Sequence, residues 1–138
     1  MVRFIKLNHY SVVPTRATAQ SAGYDMHALE SGIVLAGERK LIKTGIGWDC
    51  ENSLNVVGII KARSSLAHKH GIHVMAGVID ADYPSDQDIG AILYNSSDKD
   101  FHYEAGSAIA QMIITVFLTV TDDAAMKGRV GGFGSSGK

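Results

Sequence analysis

Two carboxylates, Asp80 and Asp82, follow a short apolar run at residues 77–79 and alternate with an alanine. If the strand continues through them, both side chains point to the same side, because residues two apart in a strand share a face. A carboxylate held in this way can orient and deprotonate a water molecule, which is general-base chemistry. An acidic turn at the end of a strand is the competing interpretation, because aspartate is a common turn residue.

Arg63, Ser64 and Ser65 form a second candidate cluster, suited to binding an anion. They follow an apolar run and open a short helical pattern, so backbone N–H groups, hydroxyls and a guanidinium could converge on one phosphate. Carboxylates near such phosphates would repel them, so a divalent ion, most simply Mg²⁺, would be needed. Taken alone, the motif is explained more simply by a helix cap beside a solvated arginine, because such caps are common.

Asp25 and Gln111 are two further polar side chains in apolar surroundings. Asp25 requires a partner there, because burial of an unpaired carboxylate is unfavourable, and either the hydration shell of a metal or a hydrogen-bonded turn would supply one. Gln111 lies within a long strand-like run, where a cross-strand hydrogen bond is a more common role for an amide than a ligand contact. The local sequence leaves both alternatives open for each residue.

The C-terminal segment changes composition from Met126 onward and is rich in glycine and serine. Glycine allows backbone conformations with positive φ, so this segment could wrap around a ligand. Phe133 could then stack on a base, while Ser135 and Ser136 donate hydrogen bonds to phosphate. A disordered terminus is the usual interpretation of such a tail, and we expect it to be mobile without a ligand.

These candidates require a scaffold of short strands to position them. A single helical pattern covers residues 64–70, where serine can cap the start and Gly71 can end the last turn. Many short strands, 15 glycines and two prolines favour a closed or sandwiched all-β fold, such as a barrel or a jelly roll. Strands are predicted over residues 2–7, 32–35, 40–48, 56–61, 71–79, 89–94 and 108–120.

Composition indicates one domain with one core, since the chain has 138 residues, of which 46% are hydrophobic and 20% charged. The net charge of −1 includes no long basic run, which argues against nucleic-acid binding. The lone cysteine, Cys50, cannot form an internal disulfide, as is typical of a reducing compartment. With no apolar run long enough for a signal or a membrane span, we expect a cytoplasmic protein that binds neither nucleic acid nor membrane.

Taken in order, five segments resemble the five motifs of the homotrimeric dUTPase family, and the match covers nearly the whole chain. The third and fifth segments are specific in combination. The segments are Ala22-Gly23-Tyr24-Asp25, Arg63-Ser64-Ser65-Leu66-Ala67, Gly77-Val78-Ile79-Asp80-Ala81-Asp82-Tyr83, Ile109-Ala110-Gln111 and Gly131-Gly132-Phe133-Gly134-Ser135-Ser136-Gly137.

The resemblance implies a fold, an assembly and a reaction. The fold is a distorted jelly-roll β-barrel with one short helix, with a dUTPase-like domain over residues 1–126 and a flexible glycine-rich lid of the same domain over residues 127–138. The assembly is a homotrimer with three sites at subunit interfaces, and each lid reaches a site made by its neighbours. The reaction is magnesium-assisted attack of water at the α-phosphate of dUTP, which yields dUMP and pyrophosphate. It limits uracil entry into DNA and supplies dUMP for thymidylate synthesis.

The same resemblance implies a role for each motif. Asp80 resembles the residue that activates the attacking water, and Tyr83 the ring that packs under deoxyribose and excludes a 2′-hydroxyl. Asp25 would contact the hydration shell of Mg²⁺, and backbone groups at residues 74–79 would bind the uracil edge. The implied substrate-binding residues are Arg63, Ser64, Ser65, Gly77, Val78, Ile79, Asp82, Tyr83, Gln111, Arg129, Phe133, Gly134, Ser135 and Ser136.

Three segments depart from the family pattern. Pro84-Ser85-Asp86 stands where the family usually has Arg-Gly-Glu, and the stretch to Ile89 is longer than usual. Ser107-Ala108 replaces the common Asp-Arg, which removes an expected ion pair. In the tail the arginine is displaced by one position, so either Arg129 or Lys127 would contact the terminal phosphate.

Two rival interpretations follow from these observations. The related dCTP deaminases share the barrel and an Arg-Ser-Ser-Leu-like segment, but they require a catalytic glutamate where this chain has Ile92. The other alternative is a dUTP-sensing regulatory protein with weak turnover on a dUTPase scaffold, motivated by the altered loop at residues 84–88. Fold alone does not separate a sensor from an enzyme.

Overall fold

The structure is a computed structural model that describes residues 1–125. Five of the candidate site residues, Arg129, Phe133, Gly134, Ser135 and Ser136, lie outside the described residues. Over residues 1–125 the chain forms eleven strands and one short helix, which confirms the predicted all-β class. The strands are β1 Arg3–Lys6, β2 Gly23–His27, β3 Gly32–Val34, β4 Arg39–Ile42, β5 Ile46–Asp49, β6 Val56–Lys61, β7 Ile72–Met75, β8 Val78–Asp80, β9 Ala91–Asn95, β10 Phe101–Tyr103 and β11 Ala108–Val116, and the helix is α1 Ser64–His70.

The described strands pair in four small antiparallel sheets, in the orders β1-β5, β10-β3, β2-β11-β6-β8 and β4-β9-β7. The four-stranded sheet carries candidate residues from three separate motifs, since Asp25 lies on β2, Gln111 on β11 and Asp80 on β8. Arg63 lies two residues beyond the end of β6 and directly precedes α1. One sheet therefore positions motifs that are far apart in the sequence.

A single cluster of buried apolar side chains joins these sheets. Met26, Trp48, Ile60, Leu93 and Met112, from five different strands, are all at most 2% exposed. Strand β9 shows how the sequence produces this core, because its buried residues alternate with half-buried ones at the period of two that a strand imposes. Each fully buried side chain of this size stabilises the fold by roughly 1.5–3 kcal/mol.

The short helix begins and ends where the sequence predicts, but its first turn differs. Gly71 ends α1 in the left-handed conformation, with φ of 65°, as expected for a glycine C-cap. The N-cap is Arg63, and no side chain caps the helix, so the expectation of a serine cap is wrong. The hydroxyls of Ser64 and Ser65 are therefore not engaged in capping α1.

Two predicted strands are each divided into two by residues with positive φ. The run at residues 40–48 breaks before Gly45, with φ of 70°, and the run at residues 71–79 breaks at Ala76 and Gly77, with φ of 56° and 103°. A strand requires negative φ, so the chain turns at these points. The predicted strand at residues 108–120 also ends earlier, at Val116, and β2 and β10 were not predicted.

Within residues 1–125, no helix has the length and apolar character needed to cross a membrane.

Candidate functional site

Five candidate side chains converge on a cleft of about 220 Å³. They come from β2, from β11 and from the junction between β6 and α1. Ala17 and Ser21, which the sequence did not single out, also line it because the loop before β2 folds over its edge. The lining residues are Ala17, Ser21, Gly23, Asp25, Arg63, Ser64, Ser65 and Gln111.

Strand register explains why Asp25 and Gln111 meet. In the middle of the sheet, Gln111 lies opposite Asp25 on one side and opposite Lys61 on the other. Arg63 is two residues beyond Lys61, so its side chain reaches the same edge of the sheet. Gly23 stands beside them because a Cβ atom there would collide with the Gln111 amide.

Arg63 is held by two acceptors but remains accessible. Its Nε lies 3.5 Å from Asp25 Oδ1, and its Nη1 donates to the Ala108 carbonyl at 3.5 Å. The side chains of Arg63 and Asp25 are 35% and 27% exposed, so solvent screens this pair and its worth to stability is small. Its importance is orientation, since the guanidinium is kept at the cleft with part of its surface open to a ligand.

The departure at Ser107-Ala108 has a structural counterpart here. The pairing of β11 with β2 shifts register between Ala108 and Ala110, which is a β-bulge or similar irregularity. At this bulge the Ala108 carbonyl accepts the hydrogen bond from Arg63. Bulges redirect backbone groups in this way at functional sites.

Gln111 forms the side-chain hydrogen bond that the sequence favoured. Its Nε2 donates to the Ala62 carbonyl at 3.1 Å, on the chain segment that leads to Arg63. The amide therefore supports the start of α1 while it lines the cleft. The two interpretations of Gln111 are compatible in this structure.

The carboxylates Asp80 and Asp82 do not share a strand. Strand β8 ends at Asp80, and the Tyr83 N–H donates to the Asp80 carbonyl at 3.0 Å, which closes a turn through Asp82. The expectation that one strand continues through both residues and places their side chains on the same face is therefore wrong. Both residues are exposed, so each carboxylate can be reached from solvent.

Asp80 lies away from the Arg63 cleft within one chain. It pairs with Val57 near the start of β6, whereas Arg63 follows the end of that strand. The four residue steps from Val57 to Lys61 correspond to about 13 Å of extended strand. The structure therefore separates the water-activating candidate from the anion-binding candidates, although the same sheet carries both.

The segment before Asp80 packs closely on β6. The Gly77 carbonyl accepts a hydrogen bond from the Ile60 N–H at 2.7 Å, and Ile79 pairs with Gly58. Val78 is 68% exposed, which leaves this face of β8 open. The predicted base-binding backbone at residues 77–79 is thus fixed on one side and accessible on the other.

Tyr83 is 8% exposed and belongs to the core cluster. Its hydroxyl donates to the Asp88 carbonyl at 2.8 Å. Burial raises the pKa of the Tyr83 phenol, and the nearby Asp88 carboxylate raises it further. The phenol therefore remains a neutral hydrogen-bond donor at physiological pH.

Asp88 is a residue near the site that sequence reasoning missed. Its carboxylate accepts hydrogen bonds from the backbone N–H groups of Thr44 and Gly45. A single aspartate in a loop carries no periodic signal, and its partners lie more than forty residues earlier in the chain. The unusual length of the loop after Tyr83 was the available indication that it had been remodelled.

Comparison with known proteins gives consistent results. The family model for dUTPase matches residues 9–137. The chain is similar to a deoxyuridine 5′-triphosphate nucleotidohydrolase of Helicobacter hepaticus, with 36% identity over 99% of this chain and 88% of the relative.

Two solved structures share the fold. A dUTPase from Streptococcus mutans has a TM-score of 0.73 at 29% identity, over 86% of this chain and 98% of that chain. A dUTPase mutant from phage phi11 of S. aureus, described with the coordination of a structural Mg(II) ion, has a TM-score of 0.78 at 20% identity, over 92% and 97% of the two chains. These likenesses confirm the jelly-roll barrel predicted from the sequence.

Proposed function

The chain belongs to the dUTPase family, and from this membership we infer that it hydrolyses dUTP to dUMP and pyrophosphate, as a dUTP diphosphatase. This reaction limits uracil entry into DNA and supplies dUMP for thymidylate synthesis. The observation that carries the assignment to a site is the cleft in which Arg63, Asp25 and Gln111 converge from three chain segments. Ile92, on β9, occupies the place where a deaminase would need a glutamate.

The triphosphate binds in this cleft. Arg63 presents a guanidinium already oriented by Asp25 and the Ala108 carbonyl, so little side-chain entropy is lost when it pairs with phosphate. Ser64 and Ser65 are exposed at the first turn of α1, where backbone N–H groups have no partner within the helix. Gln111 completes the set from β11.

Magnesium fits this cleft as an ion that arrives with the nucleotide. Among residues 1–125 no three His, Cys, Asp or Glu side chains cluster as a metal site, and Asp25 is the carboxylate that lines the cleft. Mg²⁺ typically binds through one or two carboxylates plus substrate phosphates, and keeps several waters. Asp25 would contact one of those waters. When bound, the ion neutralises phosphate charge and stabilises the charge that develops on the leaving pyrophosphate.

Asp80 is the general base of the proposed mechanism. Its carboxylate accepts a proton from water as the oxygen attacks the α-phosphorus, and the bond from that phosphorus to the leaving pyrophosphate breaks. The backbone at residues 74–79, which includes Gly77, Val78 and Ile79, binds the uracil edge. Asp82 belongs to the same turn, and Tyr83 packs under the deoxyribose and excludes a 2′-hydroxyl.

The complete site is shared between subunits of a homotrimer. Within one chain about 13 Å of β6 separates the position of Asp80 from the end that carries Arg63. A neighbouring subunit can supply the missing part if its β8 face meets this cleft. Large apolar side chains at the end of β11 and beyond it also favour association, since Val116, Leu118 and Val120 are 71%, 94% and 68% exposed.

The C-terminal lid completes the proposal. Phe133 covers the base, and Gly134, Ser135 and Ser136 contact the nucleotide, with Arg129 or Lys127 at the terminal phosphate. The support is the resemblance of residues 131–137 to the fifth family motif. These residues lie outside the described part of the chain.

A substrate panel tests the activity directly. Pyrophosphate release should be fast with dUTP and Mg²⁺ and at least about a hundredfold slower with UTP, dCTP and dTTP. The cytosine edge would leave buried polar groups unpaired, whereas the 2′-hydroxyl of UTP and the methyl group of thymine would be excluded sterically. Tight dUTP binding without turnover would favour the sensor alternative. Equal turnover of UTP would contradict the role of Tyr83.

A complementation experiment tests the shared site. Asp80→Asn and Arg63→Ala chains, each inactive alone, are co-expressed and purified as mixed trimers. If Arg63 and Asp80 of one site come from different chains, random mixing restores about a quarter of the sites. If both residues came from one chain, every site would lack one of them, so mixtures without activity would overturn the shared site.

A further inference from the structure

The loop between β8 and β9 is fixed to the turn between β4 and β5 by Asp88. One carboxylate oxygen accepts the Thr44 N–H at 3.1 Å, and the other accepts the Gly45 N–H. Both oxygens are thus used by two consecutive backbone donors. Hydrogen bonds to a charged acceptor are stronger than neutral ones, so this contact holds the loop firmly.

Ile89, which follows Asp88, adds two further hydrogen bonds between the loop and the β4–β5 region. The Ile89 N–H donates to the Ile46 carbonyl at 2.7 Å, and the Thr44 hydroxyl donates to the Ile89 carbonyl at 2.8 Å. Gly47 stands beside them because a Cβ atom there would collide with the Ser85 carbonyl. The lengthened loop is therefore packed against β5 and is anchored at its C-terminal end.

Asp88 also binds Tyr83, through its backbone carbonyl. The Asp88 carbonyl accepts the Tyr83 hydroxyl at 2.8 Å, so the phenol is tied to the β4–β5 turn through Asp88. Tyr83 has its own backbone anchor in the turn at Asp80, where its N–H donates at 3.0 Å. The ring is thereby fixed at both ends, by the turn that carries Asp80 and by the loop that Asp88 anchors.

We propose that Asp88 is a positioning residue for sugar selection: its carboxylate fixes the loop whose carbonyl holds Tyr83 against the deoxyribose. The inference rests on the proposed function, in which Tyr83 excludes a 2′-hydroxyl. Steric exclusion of one oxygen atom requires a ring that cannot retreat. Asp88 supplies that rigidity through Thr44 and Gly45 without touching the substrate.

The chain provides a matched pair of variants. Asp88→Asn keeps the shape but replaces one acceptor oxygen by an amide that points its own N–H groups at a backbone donor. Asp86→Asn removes the same charge from an exposed position in the same loop. Asp88→Ala repeats the measurement if the misplaced amide prevents folding.

The readout is the ratio of kcat/KM for dUTP to kcat/KM for UTP. Asp88→Asn should lower this ratio about tenfold, since small displacements of positioning groups have effects of this size or larger. Asp86→Asn should change it less than about twofold. In a double-mutant cycle, adding Asp88→Asn to Tyr83→Phe should cause little further loss, because Asp88 acts through the hydroxyl that Tyr83→Phe removes.

The outcomes separate the two claims. A wild-type protein that does not hydrolyse dUTP overturns the proposed function and this inference together. If the wild type is active and Asp88→Asn lowers both rates equally, so that the ratio is unchanged, the carboxylate is merely structural and only the inference fails. Full additivity in the double-mutant cycle would contradict it as well.

Discussion

Asp80 permits a sharp test of chemistry at the level of one residue, because asparagine has nearly the same shape as aspartate but cannot accept a proton from water. Asp80 is exposed at the end of β8, so Asp80→Asn should fold normally. We expect dUTP affinity to stay within a few-fold of wild type and kcat to fall by about 10²–10⁴-fold. Calorimetric binding and a pyrophosphate assay measure the two quantities. Near-normal turnover would remove Asp80 from the mechanism.

Tyr83 predicts a specific loss of stability at alkaline pH. Its pKa is raised above the ordinary value of 10.0 by burial, so the stabilisation that this implies is fully present below about pH 10. It is lost as the pH rises through the folded-state pKa, because the unfolded chain releases the proton first. We expect the free energy of unfolding, measured with urea between about pH 8 and pH 11 where tyrosine ionises, to fall more steeply with pH for wild type than for Tyr83→Phe.

The matched control for that measurement is Tyr10→Phe, since Tyr10 is 80% exposed. At neutral pH Tyr83→Phe should also lose about 1 kcal/mol, because the Asp88 carbonyl loses its hydrogen-bond donor. If the free energy of unfolding fell with pH equally in both phenylalanine variants and in wild type, burial of Tyr83 would not be linked to alkaline unfolding.

For single residues, the sequence identified the candidate site residues better than it predicted their hydrogen-bond partners. Arg63, Asp25 and Gln111 were each ambiguous alone, and the order of five motifs identified them before the structure brought them into one cleft. Two contacts were missed: the hydrogen bond from Arg63 to the Ala108 carbonyl, which depends on a β-bulge, and the hydrogen bonds from the backbone of a distant turn to the Asp88 carboxylate. Neither partner leaves a residue-type signal.

Gly77 lies at the break between β7 and β8, and a substitution there tests why the two strands are separate. It has φ of 103°, and a Cβ atom there would lie 2.7 Å from the Ile60 carbonyl oxygen, so alanine meets both backbone strain and a collision. Gly106→Ala is the control, since Gly106 has φ of 83° but nothing within 4 Å of the added atom. We expect Gly106→Ala to cost about 1–2 kcal/mol of unfolding free energy and Gly77→Ala about 3 kcal/mol or more. Equal losses in denaturant unfolding would show that the contact with Ile60 is unimportant.

The elements themselves were predictable where local signals agree. The β-branched run of β6 and the serine-to-glycine span of α1 have the predicted bounds. The break at Ala76 was not predicted, because a left-handed alanine is held there by tertiary packing and not by its own preference. Strand β2 begins with a glycine and was interpreted as a motif, although that glycine is needed to make room for Gln111.

At the scale of the whole molecule, a deletion tests the proposal that the C-terminal segment acts as a lid. Removal of residues 127–138 should lower kcat/KM for dUTP at least about a hundredfold while the unfolding midpoint stays unchanged, because closure that excludes water and orients phosphates acts on the reaction and not on the core. A control deletion of Lys138 alone should have no effect. A truncated protein with full activity would show that the segment is only a terminus.

The one tryptophan of the chain is also the largest fully buried side chain among the described residues. Trp48 has no exposed surface, and no described residue accepts a hydrogen bond from its indole Nε1. Its fluorescence emission should therefore be blue-shifted in the native protein and shift to the red when water reaches the indole. Because a single fluorophore reports the whole transition, the folding of every variant described above can be followed without a label.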